Sequence, residues 1–82
     1  MAREQFELSE THSRLLTKLM EECELPTKKA TLENALTILG WAVKEIKNGR
    51  TIASVDEQEK RYRELTMPAL EAVRRHHVPM VR

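Results

Sequence analysis

The sequence contains a single cysteine, Cys23, so no disulfide can close within these 82 residues and no thiolate cluster can assemble. Aromatic residues make up only 4% of the chain and charged residues 33%, and no apolar run approaches the ~18–20 residues that a membrane-spanning helix needs. Internal repeats and low-complexity tracts are absent. The opening Met1-Ala2-Arg3-Glu4 turns acidic at once and lacks the apolar stretch of a signal peptide. With one cysteine and no export signal, the expectation is a cytoplasmic protein with no membrane association.

A chain of this length makes at most one domain and buries a modest share of its surface, so self-association is an expected source of stability. Net charge is +1, unevenly spread. Residues 1–41 hold five Lys/Arg against seven Asp/Glu, and residues 42–82 hold nine against six.

Residues 3–10 read Arg-Glu-Gln-Phe-Glu-Leu-Ser-Glu, with Phe6 and Leu8 alternating against Gln5 and Glu7. That is the period of a strand with one buried face, predicted over residues 4–8. A lone strand leaves its backbone groups unpaired, so the expected partner is the same strand of a second chain.

Ser9 is the N-cap candidate for a first helix over residues 10–23, with Leu15, Leu16, Leu19, Met20 and Cys23 on its apolar side. Glu24-Leu25-Pro26 should break it, because proline disfavours helix at the preceding residue. Thr27 then caps a second helix over residues 28–47, stopped by Asn48-Gly49. Its stripe is Leu32, Ala35, Leu36, Leu39, Ala42, Val43 and Ile46. Ile38 and Trp41 fall off that stripe, either covered by the C-terminal segment or a dimer partner, or exposed as a docking patch. Residues 51–55 are β-prone and residues 61–67 carry Tyr62, Leu65 and Met67, so they form either a hairpin or a strand followed by a helical turn. Pro68 opens a short helix over residues 68–76, with Leu70 and Val73 as its apolar anchors.

Strand, helix, turn and longer helix within the first fifty residues resemble the ribbon–helix–helix family of Arc-, MetJ- and CopG-type repressors. The matching text is Phe6-Glu7-Leu8-Ser9-Glu10, then Leu15, Leu16 and Leu19, then Thr27-Lys28-Lys29 followed by Leu32, Ala35, Leu36 and Leu39. The resemblance covers residues 3–48 and implies a mainly α fold with a short N-terminal strand. It implies an intertwined homodimer whose two strands pair antiparallel and enter the major groove of DNA. Arg3, Gln5 and Glu7 would then face the bases, and Thr27, Lys28 and Lys29 would hold a phosphate at the second helix's start. Glu7 departs from the family, being a carboxylate doubled by symmetry at the ribbon centre and repelled by phosphate. Many proteins of this shape are antitoxins, and residues 50–82 would correspond to a toxin-holding tail, with Leu70 and Val73 among its contacts.

Two readings follow: a dimeric transcriptional regulator that binds DNA, or an assembly module of the same shape that binds protein alone, using Ile38 and Trp41. Enzymatic activity is not expected. Ser9 and His12 could pair as hydroxyl and base, but nothing supplies an orienting acid or an oxyanion hole. His12, His76 and His77 lack the spacing of a metal site, Cys23 reads as a small core residue, and no cofactor motif appears. Arg74-Arg75-His76-His77 suits a helix C-terminus, where cations favour the dipole, or an acidic partner.

Overall fold

The computed structural model describes residues 6–76. Its elements run α1 (Glu10–Glu22), α2 (Lys28–Lys47), β1 (Ala53–Asp56), β2 (Arg61–Glu64) and α3 (Pro68–His76). The order is therefore helix, helix, strand, strand, helix, which overturns the expected ribbon–helix–helix fold with its N-terminal strand. Residues 6–9 form neither helix nor strand, and Phe6 and Leu8 are 67% and 50% exposed rather than facing a core. Residues 4 and 5 of the expected strand lie outside the described residues. Two alternating apolar residues are a weak strand signal, because an extended segment needs a backbone partner. The sheet forms instead where a tight turn brings that partner within the chain, between residues 53 and 64. None of the described helices is long and apolar enough to cross a membrane.

The chain divides into two units, Met1–Leu36 and Thr37–Arg82. In the first, Ser9 Oγ accepts the His12 backbone N–H at 3.2 Å and opens α1. The helix ends before the proline, in a Schellman turn. Leu25 N–H donates to Met20 C=O at 2.8 Å, and Glu24 N–H to Glu21 C=O at 3.3 Å. This turn requires a left-handed residue, and Glu24 takes that role at φ 54°. Thr27 Oγ1 then accepts the Ala30 N–H at 3.0 Å and opens α2. Thr31 is the buried polar residue of this unit, its hydroxyl donating to Thr27 C=O at 3.1 Å. Leu16 and Met20 are half-buried, and α1 has no fully buried residue.

The second unit has a small core. Ala42 and Ile46 of α2 and Leu70 of α3 are buried, with Leu39, Val43, Ile52 and Val73 packed around them. α2 stops at Gly49, φ 81°, in the same Schellman pattern: Arg50 N–H to Glu45 C=O at 2.9 Å and Gly49 N–H to Ile46 C=O at 3.0 Å. β1 and β2 pair antiparallel, Val55 opposite Tyr62 and Asp56 opposite Arg61. Asp56 Oδ1 accepts the N–H groups of Gln58 and Glu59, both at 3.1 Å, and Lys60 closes the turn at φ 56°. Leu65 N–H extends the ladder to Ile52 C=O at 2.7 Å. Pro68 takes the first position of α3, where no N–H is needed, and Met67 C=O accepts from Leu70 and Glu71.

Candidate functional site

The apolar stripe of α2 is treated differently along its length. From Leu39 to Ile46 it is covered, because Leu70, Val73 and Ile52 pack against it. At Leu32 and Leu36, on the same side of the helix, it is bare, with Leu36 58% exposed. The stripe of α1 is divided too. Leu16 and Met20 are half-buried, while Leu15 and Leu19, one turn apart, are exposed. Together with Phe6 and Leu8, the first unit thus shows six large apolar side chains to solvent and buries none of them. Isolated exposed leucines are ordinary; here each of the two helices shows two of them one turn apart.

The start of α2 is the second feature. Lys28 and Lys29 are exposed, and no acidic residue occupies the first turn. That inverts the usual preference, since the positive end of the helix dipole favours carboxylates there. The Thr27 hydroxyl is already the cap acceptor for Ala30, so its oxygen is committed to the backbone. What remains for an anion are the two ammonium groups and the backbone N–H groups of the first turn.

The other expected contacts are scattered. Arg3 and Gln5 lie outside the described residues, and Glu7 is exposed on a segment without regular structure, so no ribbon face aligns the three. Ile38 and Trp41 are 64% and 51% exposed, so the described part of the C-terminal segment does not cover them. Leu70 and Val73, expected among the partner contacts, pack in the core of the second unit, Leu70 fully buried and Val73 half-buried. Cys23 is exposed as the C-cap of α1, rather than sitting in a core.

Ser9 and His12 do meet, Oγ to Nδ1 at 2.9 Å. The pair is exposed, and the same Oγ accepts the His12 backbone N–H, which makes it a helix cap. Among the described residues no group of three or more His, Cys, Asp or Glu could hold a metal ion. His77 lies outside the described residues, and Arg75 and His76 are exposed. Arg74 is half-buried between two carboxylates, one at the end of β2 and one on its own helix. Its place beside histidines in the sequence gave no sign of that role.

On the hairpin, Arg61 and Arg63 lie beside Ser54 in an open concavity rimmed by Glu57 and Glu59. Both signs of charge are present there, so the face is not a basic patch. No protein-family model matches the chain, and no curated protein and no solved structure matches it either.

Proposed function

We propose that this chain is a protein-association module whose work is done by the apolar side chains left bare on α1 and on the N-terminal half of α2. The observation that carries the reading is the change along α2: one stripe, covered at Leu39–Ile46 and uncovered at Leu32 and Leu36. Burying leucines of this exposure against another chain contributes on the order of 1 kcal/mol each. The test is purification of the tagged full chain from its own cells, wild type beside Leu32→Asp/Leu36→Asp. Wild type is expected to carry a stoichiometric, identifiable chain that rebinds when both are pure, and the variant to carry none. Equal recovery by both overturns the reading.

A second reading, a transcriptional regulator that binds DNA, is favoured by the lysines at the start of α2. Two cations on the positive end of a helix repel the dipole, and a phosphate placed there relieves both. Fluorescence anisotropy with duplex DNA from upstream of the gene tests it. Lys28→Glu/Lys29→Glu should abolish binding, and replacing each lysine by alanine should lower the salt dependence by about one ion per contact. No binding by wild type at moderate salt ends this reading.

The tail reading fits less well with the core of the second unit. Residues 50–82 contribute Ile52, Leu70 and Val73 to that core. A partner that drew on Leu70 would have to dismantle it.

A further inference from the structure

We draw no further inference here: the strongest candidate, the open concavity on the β1–β2 hairpin where Arg61 and Arg63 stand beside Ser54, is lined as well by Asp56, Glu57 and Glu59, so its charges select neither an anion nor a cation and nothing in the structure shows what covers it.

Discussion

Arg74 of α3 donates to Glu64 at the end of β2 at 2.9 Å, and the same guanidinium holds Glu71 one turn back on its own helix. The three side chains are between a quarter and a half exposed, and they fasten the hairpin to α3 within the second unit. An exposed ion pair contributes little, but one fork-shaped cation shared by two carboxylates leaves both repelling each other when it is removed. Arg74→Ala is therefore expected to lower stability by about 1 kcal/mol, and Glu64→Gln by less. Urea denaturation at low and high salt checks it: the difference between wild type and Arg74→Ala should shrink as salt rises.

Leu70 should be the most sensitive position in the second unit. It is 0% exposed, and among the described residues the core holds two other buried apolar side chains, Ala42 and Ile46, so a truncation there has little surrounding material to collapse into the space. Leu70→Ala is expected to destabilise by roughly 2–5 kcal/mol. Ile38→Ala, on the exposed side of α2, should change stability by less than about 0.5 kcal/mol. Thermal unfolding followed by circular dichroism separates the two. If Ile38→Ala proves as costly as Leu70→Ala, then Ile38 is covered in solution.

Local signals in the sequence mark element ends well, because they act through bonds between neighbours. Ser9 and Thr27 do cap the helices that follow them, Gly49 does take the left-handed position after α2, and Pro68 does open α3. What misled was the reading of Phe6 and Leu8, whose alternation has no meaning without a paired backbone beside it. Side-chain fate was also hard to read. Leu32 and Leu70 look alike in sequence, yet one is bare and the other sealed, since burial depends on which distant segment arrives. The Arg74 clamp was hidden for the same reason: its partner Glu64 lies on a strand whose pairing the pattern left open. At the candidate site, the lysines at the start of α2 could be located from Thr27, whereas the division of each apolar stripe into covered and uncovered halves could not.

The two helix ends offer a matched comparison. Both α1 and α2 close in Schellman turns, one with Glu24 and the other with Gly49 in the left-handed position. A side chain there costs roughly 1–2 kcal/mol, partly offset because glycine also loosens the unfolded chain by about 0.4–1 kcal/mol. Glu24→Gly is thus expected to stabilise by up to about 1 kcal/mol, and Gly49→Ala to destabilise by about 1 kcal/mol. Chemical denaturation of both variants checks the signs. Two changes in the same direction would mean that one of these turns is not left-handed.

The hairpin turn poses the same question where no core can mask the answer. Apart from half-buried Ala53, every residue of β1 and β2 is exposed, so the pairing leans on its turn, on Tyr62 bonded to Thr51 at 3.0 Å, and on the Arg74 tie. Lys60 occupies the left-handed position that closes the turn, while Asp56 satisfies two of its N–H groups. Lys60→Gly should remove the strain of a side chain there and strengthen the ribbon, whereas Asp56→Ala should weaken it by about 0.5–1 kcal/mol. Because the effect is local, amide hydrogen exchange is the sensitive measurement. Protection of the Leu65 N–H, bonded to Ile52, should rise several-fold in the first variant and fall several-fold in the second, with the amides of α1 unchanged. Equal shifts throughout the chain would show that the hairpin does not open on its own, and that its stability is tied to the whole unit rather than to this turn.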